Sequence, residues 1–153
     1  MVQNTVQPTY SRYHITTGAP GTWATMTGHD SDTFLAEAVI PFGVAVSKGV
    51  GERGAIKGGN TFMGISIRDI TLVHTTTDQY EIGDNVGVSV RGDIWVRCEA
   101  AVVARTAVKY NATTGQLGSA AGVTIAGATW MTAGTLGGMA VVRLNNSIGD
   151  LTT

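Results

Sequence analysis

Asn85-Val86-Gly87-Val88-Ser89-Val90-Arg91-Gly92-Asp93-Ile94-Trp95-Val96-Arg97-Cys98 is the stretch whose reading decides the fold. Its even positions are Val86, Val88, Val90, Gly92, Ile94, Val96 and Cys98; its odd positions are mostly polar. A period of two places these rows on opposite faces of a strand. The apolar row is largely β-branched, which suits a pleated, half-buried surface. Gly92 falls in that row without shifting its register, so it predicts a bend or bulge rather than a hairpin. One long strand, kinked once, is the core element.

Composition agrees with an all-β chain. The 153 residues suffice for one domain that buries about 70% of its unfolded surface. Glycine occurs 21 times and proline only 3 times, which fits short strands joined by tight turns. Charged residues make up 14% and the net charge is -1, so the chain has no electrostatic footprint for nucleic acid or a membrane surface. Cys98 is the single cysteine, so no intramolecular disulfide forms. No apolar run approaches the ~20 residues of a membrane span, and the polar start has no leader pattern. The expectation is a soluble chain.

On either side of the long strand, the pattern predicts further strands. Residues 1–32 have no apolar alternation and carry Tyr10, Tyr13 and Trp23 among polar residues and a Gly18-Ala19-Pro20-Gly21 break. They read as an N-terminal arm, followed by a β-rich domain over 33–153. Strand-like runs lie at 33–47, interrupted by Pro41-Phe42-Gly43, and at 62–67. Residues 48–60 are dense in glycine, as a phosphate-cradling loop is. Gly-Lys-Ser/Thr and a following helix are both missing, so a loop or hairpin is expected there. Residues 99–110 are ambiguous between helix and strand; the apolar row continues through Ala100 and Val102, which favours strand. Short strands are expected at 123–125, 129–131 and 139–144.

Four pieces, in this order, carry a resemblance. They are Ala38-Val39-Ile40-Pro41-Phe42-Gly43-Val44-Ala45-Val46, then Phe62-Met63-Gly64-Ile65-Ser66-Ile67-Arg68, then Gly83-Asp84 with the 86–96 strand. The last is Gly115-Gln116-Leu117-Gly118 with Trp130 and Val141-Val142-Arg143-Leu144. Together, over 33–144, they resemble the structural cement, or capsid decoration, proteins of tailed phages. The resemblance implies a jelly-roll-like sandwich or barrel with an extended N-terminal arm. It also implies a virion protein, made in the host cytoplasm, that sits on the outer surface of the capsid. There it would bridge neighbouring major capsid protein subunits, as a homodimer or, as the alternative, a trimer.

The residues themselves offer little chemistry. Arg91-Gly92-Asp93 matches an adhesion tripeptide, but it lies inside a strand rather than on a loop tip. His14, His29 and His74 are the only histidines, and His29-Asp30-Ser31-Asp32 lacks the spacing of a zinc or calcium loop. No glycine-flanked serine sits between a strand and a helix. Cys98 lies in the apolar row and reads as a buried thiol. The expectation is no enzyme, no cofactor and no metal. Trp95, in the polar row between Asp93 and Arg97, suits a protein interface, where tryptophan and arginine dominate binding. A carbohydrate-binding β-module, lectin-like or part of a head fibre, is the competing class, since Trp23, Trp95 and Trp130 offer rings for sugar stacking. The candidate partner-interface residues are Tyr10, Tyr13, Trp23, Arg91, Asp93, Trp95 and Arg97.

Overall fold

The computed structural model describes residues 18–26, 28–72 and 79–145. Tyr10, Tyr13, His14 and His74 lie outside them. The described residues form ten strands and no helix. In chain order these are β1 (Asp30–Ala36), β2 (Ile40–Pro41), β3 (Ala45–Lys48), β4 (Gly54–Lys57), β5 (Phe62–Ser66), β6 (Gln79–Tyr80) and β7 (Asn85–Arg97). Then come β8 (Ala107–Tyr110), β9 (Val123–Trp130) and β10 (Met139–Asn145).

β7 is the long strand expected, at 13 residues, and it belongs to two assemblies at once. Its first half pairs with β1 on one edge and β5 on the other; β1, β4, β3, β5 and β7 thereby close into a barrel. Closing the ring removes open sheet edges, which otherwise invite aggregation. Its second half pairs with β10, which leads on to β9 and β8. Leu117 bridges both Cys98 and Tyr110, so the second sheet is also tied back to the end of β7.

The switch between the two assemblies falls at Gly92. Here the backbone has φ +121, a conformation that side chains resist, and the β1 register slips just before it. The kink redirects a single apolar row. Val86 and Val88 enter one core with Ile40, Phe42, Val46 and Tyr80. Ile94, Val96 and Cys98 enter a second core with Tyr110, Leu117, Trp130 and Leu144. Each fully buried aliphatic side chain contributes roughly 1.5–3 kcal/mol, so neither half is a minor appendage.

Residues 99–106 are irregular, in contrast to the strand expected from their apolar row. The chain turns away after Cys98, and Arg105 sits at φ +68, which no strand accommodates. The Arg105 N–H donates to Trp130 O at 2.7 Å, and Val102 bridges to Gly134. Regular pairing resumes only at β8.

The glycine-dense run is the β3–β4 hairpin. Its turn does gather backbone amides around an anion, but the anion is the chain's own Glu37. Val50 N–H and Gly51 N–H each donate to the Glu37 carboxylate at 2.8 Å. Glycine at 49 and 54 leaves the space that this carboxylate fills, since a side chain at either position would collide with it. The bonds hold the Glu37 carboxyl below the ordinary carboxylate range.

Candidate functional site

The sequence-derived candidates converge on the second half of β7. Residues 21–24 run antiparallel along this part of the strand as a strap. Gly21 N–H donates to Trp95 O at 2.8 Å, Trp95 N–H to Thr22 O at 2.9 Å, and Ala24 N–H to Asp93 O at 2.9 Å. The strap is also anchored to the barrel, because Arg68 N–H donates to Gly21 O and Arg68 Nε to Pro20 O. The Trp95 ring is half-buried, with Gly18 against its edge. Trp23 packs its ring on His29, with centroids 4.0 Å apart.

Asp93, read from sequence as part of a polar face, is interior at 3% exposure. Its two oxygens accept a bidentate pair from Arg143, Nε to Oδ1 at 2.8 Å and a terminal nitrogen to Oδ2 at 3.0 Å. Thr25 Oγ1, from the end of the strap, lies 3.2 Å from Oδ2. The guanidinium bond holds the Asp93 carboxyl below the ordinary range, against the upward push of burial. This arrangement leaves no adhesion tripeptide on display. Arg91 pairs at 3.6 Å with Asp30, both half-exposed, and the exposed Arg97 donates to Gly137 O at 3.1 Å. Thus Trp23, Asp93 and Trp95 fasten the strap, while Arg91 and Arg97 reach the surface beside it. Tyr10 and Tyr13 precede the strap, outside the described residues.

The two depressed carboxylates make stability sensitive to acid. A group whose folded pKa lies below its unfolded value stabilises fully above the latter and stops doing so as pH falls through the former. Asp93 and Glu37 both have that sign. Their contribution to the urea midpoint should therefore be constant between about pH 7 and pH 5 and should be lost below about pH 4. A midpoint that rises on acidification would contradict this assignment.

The cleft between residues 100–107 and 118–120 has a volume of about 290 Å³, and Lys109 is its one ionisable lining residue. Burial pushes the Cys98 thiol up, away from the reactive thiolate. Burial likewise pushes the Tyr80 hydroxyl up to about 12; it donates to Ile67 O and braces the β5–β7 junction. Among the described residues no group of three or more His, Cys, Asp and Glu is placed to hold a metal ion.

The described residues form an all-β body, a closed barrel continued by a second sheet. The sequence model of the structural cement protein family (E217 gp24/Pam3 gp6) matches residues 6–145, and the chain belongs to that family. The match reaches back through the strap and into the segment before it. A solved chain from the capsid of Myoviridae phage XM1 has the same fold, with a TM-score of 0.67 and 16% identity over 95% of this chain and 99% of that one. Among curated protein sequences, none matches. The protein is accordingly a phage capsid structural protein.

Proposed function

We propose that the protein attaches to the outer surface of a phage head and bridges neighbouring major capsid protein subunits, with no catalytic step and no cofactor. The family match over residues 6–145 carries this reading. The construction of β7 supports it, since a strand common to two cores makes one stiff body rather than two hinged ones. Attachment needs no single strong contact. A dimer, or a trimer, engaging two or three subunits raises avidity by roughly 10²–10⁴.

Within this reading the seven candidate interface residues divide by role. Trp23, Asp93 and Trp95 hold the root of the arm, and Tyr10 and Tyr13 on the arm, with Arg91 and Arg97 beside it, face the partner. Deleting residues 1–17 spares the strap and should leave the thermal midpoint unchanged. Co-sedimentation with heads stripped of the protein should weaken at least tenfold. Wild-type protein that fails to co-sediment with heads would remove the cement reading itself. Full binding by the truncated chain would remove only the role of the arm.

A further inference from the structure

We infer that the β3–β4 turn, with Val50 at its apex and the Ile82 turn beside it, is an apolar peg that seats in a socket on a protein subunit of the shell. The inference rests on the proposed attachment and names one of its contact points.

Val50 is 96% exposed and Ile82 is 70% exposed, and Leu35, on the strand beneath them, is half-exposed. The three segments meet at one place. Leu35 N–H donates to Arg53 O, Ala36 N–H to Asp84 O, and Gly83 N–H to Ala36 O. Glu37, the next residue, carries the turn that presents Val50.

An exposed valine alone requires no explanation. The unusual feature is the effort spent on holding this one still. Besides the two bonds to Glu37, Lys48 Nζ donates to Gly49 O and Gly51 O, each at 3.3 Å. Gly49 N–H and Gly54 N–H close the turn on Gly54 O and Gly51 O. The turn buries no large side chain that would explain such fixing. Its rigid frame supports an aliphatic side chain in water. Ordering a contact before association lowers the entropy cost of binding, so the frame fits a recognition element.

Size and charge indicate the occupant. Three aliphatic side chains fall well short of the roughly 800 Å² per partner that a stable two-body interface buries. The peg is therefore too small to hold a dimer by itself and fits one contact in a multipoint attachment. Lys48 is turned back on its own hairpin, and Arg53 is paired with Asp32 at 3.1 Å and bonded to Thr33 O. These cations are engaged within the chain and the exposed Glu52 lies two residues from Val50, which together favour an apolar socket over an acidic one.

The test uses heads stripped of the protein, full-length variants, and occupancy measured by co-sedimentation across a concentration series. Val50→Asp and Ile82→Asp should each raise the half-occupancy concentration about tenfold or more, with wild-type unfolding temperatures. Glu37→Gln keeps Val50 but weakens its frame, and should fall between wild type and Val50→Asp. Val103→Asp, at an exposed site bordering the cleft near Trp130, should bind as wild type does. Wild-type binding by both Val50→Asp and Ile82→Asp would overturn the peg while leaving the cement reading intact. Weakening by Val103→Asp alone would place the contact at the other end of the molecule. If wild-type protein itself fails to bind, the cement reading falls and takes the peg with it.

Discussion

Arg143→Ala is expected to lower stability by roughly 3 kcal/mol, the low end of the cost of leaving one member of a buried ion pair alone. The asymmetry of the pair sets that size. The Arg143 side chain is 47% exposed and returns to water easily, whereas the Asp93 side chain is 4% exposed and, among the described residues, keeps Thr25 as a side-chain partner. At about 2–4 °C per kcal/mol for a chain of this length, the melting temperature should drop by roughly 6–12 °C. The pH dependence makes the test specific. Without the guanidinium, burial outweighs the Thr25 hydroxyl bond and raises the folded pKa of Asp93 above the unfolded value. The variant's deficit against wild type should then shrink as pH falls from 7 towards 4, because protonation relieves the stranded charge. Asp93→Asn should cost less than Arg143→Ala, since it leaves only a half-exposed guanidinium behind. A deficit below about 0.5 kcal/mol that stays constant with pH would show that the pair is not the buried anchor described above.

Gly92→Ala is expected to cost about 3 kcal/mol or more, from two independent sources. A β-carbon there would lie 2.6 Å from His29 Cβ and 2.9 Å from Trp23 Cζ3. The backbone at φ +121 also resists any L side chain. Gly83→Ala separates the two, because Gly83 has φ +93 and nothing within 4 Å of an added β-carbon. That variant should lose only the backbone term, roughly 1–2 kcal/mol. Gly92→Ala should also shift tryptophan emission as Trp23 parts from His29. Equal losses for the two variants would mean that the crowding against the strap is not real.

The long strand and its kink are legible in the sequence because both are local: a β-branched row of period two, with a glycine inside it. What the row packs against is not local. Val86 and Ile94 look alike in the sequence, yet they serve different cores, and only the redirection at Gly92 separates them. Asp93 reads as solvent-facing because its partners come from far along the chain, Arg143 at 50 positions and Thr25 at 68. No periodicity over fourteen residues reports such coverage. The amide cradle of residues 48–54 is visible as glycine density, but its anion, Glu37, lies before the hairpin and has no motif of its own. Residues 99–106 mislead because their apolar row continues after the chain has already turned towards Leu117 and Gly134. Of the candidate site, Trp23, Asp93 and Trp95 are brought together around the strap, and the geometry alone reveals that they fasten this chain to itself.

The sharing of β7 has a mechanical consequence. A tug between the barrel end near Ile82 and the far end near Leu136 travels along one unbroken backbone of 13 residues. That backbone is flanked by hydrogen-bond ladders to β1 and β5 in its first half and to β10 and the strap in its second. Such a tug loads the ladders in shear, so many bonds must yield together. Peeling would instead open them one by one. A chain built this way resists a steady pull along β7 and gives way all at once when the limit is passed.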